Sequence, residues 1–254
     1  MATYKKRGYK KSIPTDTNDK VEMESTTAEV FETLDSTASR TEEWISKYQN
    51  FILTTVGLIA LSVLSYLGYQ NYIFEPKKTE AASELSQAQY YFELAVNGQE
   101  SDSLFRRALN GGEGKYGFLD IIDNYAGTPA AELATYSAGM AYLNLGDYVN
   151  AIAYLDQFDT DDVMLKALAK GSIGDAFAEI DQPEEAYDYY VEAFESSENT
   201  FSTPKYLFKA GLLGGILGKN STAIGYFKRI QNDYPVSAEA KKVEVQIGRL
   251  ETLK

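Results

Sequence analysis

The sequence predicts an all-α chain: a single N-terminal transmembrane helix followed by a stack of helical pairs. Three observations carry this. From Tyr48 to Phe74 there is no charged residue. Beyond it, apolar residues recur at helical rather than strand spacing, and Pro129, Pro183, Pro204 and Pro235 fall at segment ends. Within that part a small-residue pattern repeats three times at near-constant offset.

The composition narrows the function before any motif does. The 254 residues carry 24 Lys and Arg against 37 Asp and Glu, a formal charge of -13. Such a surface repels phosphate, so nucleic acid is not an expected partner. There is no Cys, which excludes disulfides, thiolate metal sites and cysteine nucleophiles. There is no His, which removes the commonest general base near neutral pH. The expectation is a binding protein with no cofactor and no catalytic centre.

Residues 1–47 read as a polar tail. A basic cluster (Lys5, Lys6, Arg7, Lys10, Lys11) opens it, and a Ser- and Thr-rich acidic stretch follows. Apolar residues from Ser12 to Glu29 are too sparse to bury a core, so disorder is expected there. Ala28–Tyr48 reads either as an amphipathic helix, with Val30, Phe31, Leu34, Ala38, Ile45 and Tyr48 on one face, or as a linker.

Residues 48–74 form the span. Its centre, Phe51–Tyr69, covers roughly 28 Å at the helical rise, about one hydrocarbon core. Phe51, Leu58, Leu64 and Tyr69 mark its length, and Tyr48, Tyr66, Tyr69 and Tyr72 lie near its ends, as an aromatic belt would. A cleaved signal peptide would begin near residue 1 and end in small residues, which this run does not. The near flanks tie under the positive-inside rule, with Arg40 and Lys47 before the span and Lys77 and Lys78 after it. The basic cluster at 5–11 tips the expectation to a cytoplasmic N-terminus.

Residues 77–254 carry the repeats. Gly139, Gly174 and Gly211 each lie twelve residues before an alanine: Ala151, Ala186 and Ala223. Four residues on stand Leu155, Tyr190 and Phe227, and three further Phe158, Ala193 and Ile230. Small residues on both helices of a pair let the backbones approach, and the large residues one turn away fill the crevice. Turn residues separate the helices at Gly146-Asp147, Asp181-Gln182 and Lys219-Asn220. The expected repeats run about 132–158, 167–194 and 204–235. A degenerate unit (about 81–130) precedes them, and a capping helix (236–253) follows. In the degenerate unit Ala81–Val96 is the expected first helix, Gly117, Ile121, Asn124 and Pro129 mark the second half, and residues 97–116 read as an insertion.

This pattern resembles the tetratricopeptide repeat. Gly211, Ala223, Phe227 and Pro235 show it whole, whereas Val163 and Glu198 stand at the closing-proline place of the first two segments. The resemblance implies a concave groove lined by the first helix of each pair, here Leu133, Tyr136, Met140, Leu143, Phe208 and Leu212. Apolar groove residues suit extended or unfolded segments; acidic peptide termini would want cationic clamps, and only Lys205 stands there. The alternative for each of the six is packing against the next pair. The whole layout resembles the YfgM-type ancillary subunits of the bacterial Sec translocon. That implies an inner-membrane, single-pass protein with a periplasmic repeat domain. It also implies Sec translocon subunits, translocating polypeptides and a PpiD-like membrane-bound prolyl isomerase as partners, alongside membrane lipid. A structural adaptor in another envelope complex is the competing reading.

Other motifs fail on their spacing. Asn110–Gly117 is Gly-rich, but Leu109 and Tyr116 stand where a phosphate loop needs Gly and Ser or Thr, so it reads as a flexible turn. Asp159, Asp161 and Asp162 lack the Gly and closing Glu of a calcium loop and are better placed to cap a helix beginning near Val163.

Overall fold

The computed structural model describes residues 26–98 and 101–252, the side chains of residues 26–41 and 43 excepted. The basic cluster at 5–11 and most of the expected polar tail lie outside the described residues. The described chain is helical, and its one isolated β-bridge joins Gly112 and Lys115. It divides into two units, Met1–Tyr66 and Leu67–Lys254.

Helix α1 (Thr26–Tyr69) contains the apolar run, and it takes in Ala28–Tyr48 as helix rather than linker. None of its most apolar window is buried, and it is the one described helix long and apolar enough to cross a membrane. Thr54, Thr55 and Ser62 donate their hydroxyls to the carbonyls of Asn50, Phe51 and Leu58, at 2.7–2.8 Å. These three hydroxyls are thus satisfied within the helix, as a hydrocarbon environment requires.

The second unit takes in the last residues of α1, then a single π-helical turn (Gln70–Phe74), α2 (Glu75–Asn97), α3 (Ser101–Asn110) and α4 (Phe118–Asn124). Ala81, Leu85, Ala88, Tyr91 and Ala95 form one buried stripe along α2. Residues expected as an insertion instead supply α3, whose Phe105, Ala108 and Leu109 are buried. The ring of Phe92 meets Phe105 at 5.4 Å and Phe118 at 6.0 Å, both edge-on. The Gly-rich segment after α3 is a tight, closed turn. Glu113 and Gly114 both have positive φ, and Gly112 and Lys115 exchange backbone hydrogen bonds of 3.2 and 3.0 Å.

Three helical pairs follow: α5 (Pro129–Asn144) with α6 (Tyr148–Gln157), α7 (Val163–Glu179) with α8 (Pro183–Ser196), and α9 (Thr203–Ile216) with α10 (Asn220–Asp233). Helix α11 (Ala240–Glu251) closes the stack. Prolines sit in the first turns of α5, α8 and α9, where their missing N–H costs nothing. Thr128, Asp147 and Asp162 cap α5, α6 and α7 with their side-chain oxygens; Asp162 accepts from Met164 N at 2.8 Å and Leu165 N at 3.1 Å.

The repeat pattern has a direct geometric meaning. Ala151, Ala186 and Ala223 are fully buried. A methyl group at Gly139 would lie 2.5 Å from Leu155 Cγ, one at Gly174 2.7 Å from Tyr190 Cε1, and one at Gly211 2.6 Å from Phe227 Cε1. In every pair the glycine is thus the seat of the large residue four positions beyond the alanine, an interlock that leaves no room for a Cβ. The turn within each pair ends in a left-handed residue: Gly146, Asp181 or Gly218. From the next residue the N–H reaches back to Tyr142, Phe177 or Gly214, closing the helix end.

Candidate binding surfaces of the repeat stack

The first helices α5, α7 and α9 carry the expected groove positions. Leu133 is half-buried against the core shared with α2, α3 and α4. Tyr136 and Met140 are half-buried against a cluster of Leu155, Ala169 and Ile173, with the Tyr136 ring 5.2 Å from Phe158. Leu143 is half-buried. Phe208 and Leu212 are half-buried in the C-terminal core, where Phe208 lies 5.7 Å from Phe227. Lys242 of α11 stands 6.0 Å from the Phe208 ring. The α5 residues and the α9 residues therefore belong to different clusters.

The middle pair explains the break. At the place of Tyr136 and Phe208, α7 carries Gly171, and a methyl group there would lie 2.0 Å from Cε1 and Cζ of Tyr206. Tyr206, reaching back from α9, fills that slot. At the place of Met140 and Leu212 stands Asp175. It accepts a hydrogen bond from the Tyr190 hydroxyl at 2.6 Å and pairs with Lys209. Lys209 also lies 5.3 Å from the Tyr190 ring, which stacks on Tyr206 at 6.2 Å. Burial, then the Asp175 charge, pushes both the Tyr190 and Tyr206 phenols well above their ordinary range; burial alone raises Tyr136. All three stay neutral at physiological pH, as hydrogen-bonding and aromatic groups.

The Asp175–Tyr190–Lys209 cluster was not among the expected groove residues. Its one sequence signal is a carboxylate where the other two repeats have apolar residues. Along α1, Phe51, Leu58, Leu64 and Tyr69 are 72%, 60%, 68% and 54% exposed. A row of large apolar side chains in contact with water is not sustainable, so this helix needs lipid or a partner around it.

Residues 134–160, most of α5 and all of α6, match the family model described as tetratricopeptide repeat. That pair is one tetratricopeptide repeat, and the stack has a helical-repeat fold of that type. No curated protein matches the chain significantly. In this repeat type the conserved logic is helix-pair stacking that presents side chains to protein partners, and a protein-binding scaffold is the role the domain supports.

Proposed function

We propose that this chain is a membrane-tethered protein-binding scaffold of the bacterial inner membrane. In this reading α1 anchors it with the N-terminus cytoplasmic, and the tetratricopeptide domain works in the periplasm beside the Sec translocon. The observation that carries the proposal is the coupling of an apolar helix, none of whose most apolar window is buried, to a repeat domain of protein-binding type. The span has no charge with which to conduct ions, which fits docking rather than transport. The apolar first-helix side chains Leu133, Tyr136, Met140, Leu143, Phe208 and Leu212 suit transient capture of extended segments, which are then passed to chaperones such as a membrane-bound prolyl isomerase. Ordering a flexible segment costs free energy, so such capture is weak.

A second reading has its own support. Five of those six side chains pack against core clusters, which favours a fixed adaptor surface in another envelope complex over an open groove. In-cell photo-crosslinking separates the two. A probe at Leu64 is expected to label a translocon subunit, and one at Leu143 secreted chains or a chaperone. Capture of one unrelated envelope complex by both probes would replace the first reading with the second.

A further inference from the structure

The acidity of the repeat domain is unevenly placed. Residues 117–204 hold 2 lysines and no arginine against 17 Asp and Glu, whereas residues 205–254 hold 9 Lys and Arg against 4 Asp and Glu. Inside the acidic stretch α6, α7 and α8 enclose a cleft of about 250 Å³. Its floor is Leu155, Ala169 and Ile173, all buried. Phe158 and Tyr189 wall it, and Tyr189 is held in place by stacking on Phe177 at 5.4 Å. Asp156, Asp159, Lys166 and Lys170 complete the lining. Both lysines are engaged: Lys166 lies 3.9 Å from Asp159, and Lys170 pairs with Glu192. Asp156 and Glu192 lie near enough to Tyr189 to add to the effect of burial in raising its phenol. The charged groups at the cleft are thus three carboxylates against two ammonium groups.

We propose that this cleft holds an arginine side chain of a polypeptide partner. The volume admits one long side chain and not a folded element. A methylene stem lies well on the apolar floor while its charged head stays at the mouth. The Tyr189 ring offers a face to a planar guanidinium, and Asp156 and Asp159 offer acceptors for its fork of donors, which an ammonium fits less well. The surrounding acidic stretch steers a cationic segment to the site. An anionic ligand, which the two lysines alone would suggest, meets the carboxylates instead. None of the lining residues is among the six expected groove positions. The proposal rests on the protein-binding reading of the domain but not on the translocon, so crosslinking and the following assay fail independently.

The test uses the full chain in detergent micelles and a fluorescein-labelled peptide of alternating leucine and arginine, read by fluorescence anisotropy at about 0.15 M salt. Matched peptides carry lysine or glutamate in place of arginine. Asp156→Arg probes the cleft, and Glu184→Arg makes the same charge change on the exposed first turn of α8. The arginine peptide is expected to bind most tightly, with Asp156→Arg weakening it about tenfold and Glu184→Arg no more than about twofold. Equal losses in the two variants would reduce the effect to general attraction and overturn the site. So would a glutamate peptide that binds as well as the arginine one. Should Asp156→Arg not fold, Asp156→Asn set against Glu184→Gln, each removing one negative charge, carries the same comparison with the same two outcomes.

Discussion

The three helical pairs and the three-helix segment before them solve the same packing problem differently. In the pairs, each first helix gives up a side chain so that one large residue can sit on its backbone: Leu155 on Gly139, Tyr190 on Gly174, Phe227 on Gly211. In α2, α3 and α4, no glycine plays that part. Alanines along α2 (Ala81, Ala88, Ala95) and α5 (Ala130, Ala131, Ala134, Ala138, Ala141) share a core with the rings of Phe92, Phe105 and Phe118. The first arrangement concentrates sensitivity to substitution in single glycine positions. The second spreads it over many contacts, so there the large aromatics matter most.

Substitutions should expose this difference. The largest effect is expected at Phe105→Ala, which removes a buried ring packed edge-on against Phe92 and should cost about 3–5 kcal/mol in chemical denaturation. A loss under about 1 kcal/mol would mean that α3 is an appendage rather than part of the core. Gly174→Leu should cost about 1–3 kcal/mol by overpacking the Tyr190 seat, whereas Gly225→Leu, at an open position inside α10, should cost nothing and stabilise by up to about 1 kcal/mol. Equal melting of the two variants would remove the interlock from the account.

Tyr190→Phe deletes the hydrogen bond to Asp175 and should cost about 1–2 kcal/mol at neutral pH. Its pH signature follows from the raised phenol. Because the folded form holds the proton more tightly, the Tyr190 contribution is complete below the ordinary phenol range and falls as pH rises above it. Alkaline destabilisation should therefore be shallower in the Phe variant, measured by thermal melts across that range. A parallel pH dependence would assign the effect to other tyrosines. The smallest changes lie in the turns. Asp181 takes a left-handed conformation that Gly146 and Gly218 adopt freely, so Asp181→Gly should stabilise by about 0.5–1 kcal/mol and Gly146→Ala should destabilise by a similar amount.

What could be read from sequence follows the same division. The Gly–Ala–large spacing is local to a pair, so the helices, their turns and the pairing were legible from it. Helix α3 was hidden because only Leu104, Phe105, Ala108 and Leu109 mark it, between polar residues and a glycine turn. Periodicity places Phe208 on the first-helix face but cannot show that Lys242 of α11 stands over it. Asp175 and Lys209 are 34 residues apart, and no spacing rule joins them until α7 and α9 are side by side. The cleft between α6, α7 and α8 draws its lining from three helices and escaped notice for the same reason.

The most direct measurement is membrane fractionation of the full chain. The unaltered chain is expected to stay with the membrane after an alkaline carbonate wash. The Leu58→Arg/Leu64→Arg variant is expected to be released, since two charges near the middle of the span cost about 5–7 kcal/mol together on insertion scales. Release of the unaltered chain by the wash, or equal retention of both, would contradict the claim that α1 holds this repeat domain at a membrane.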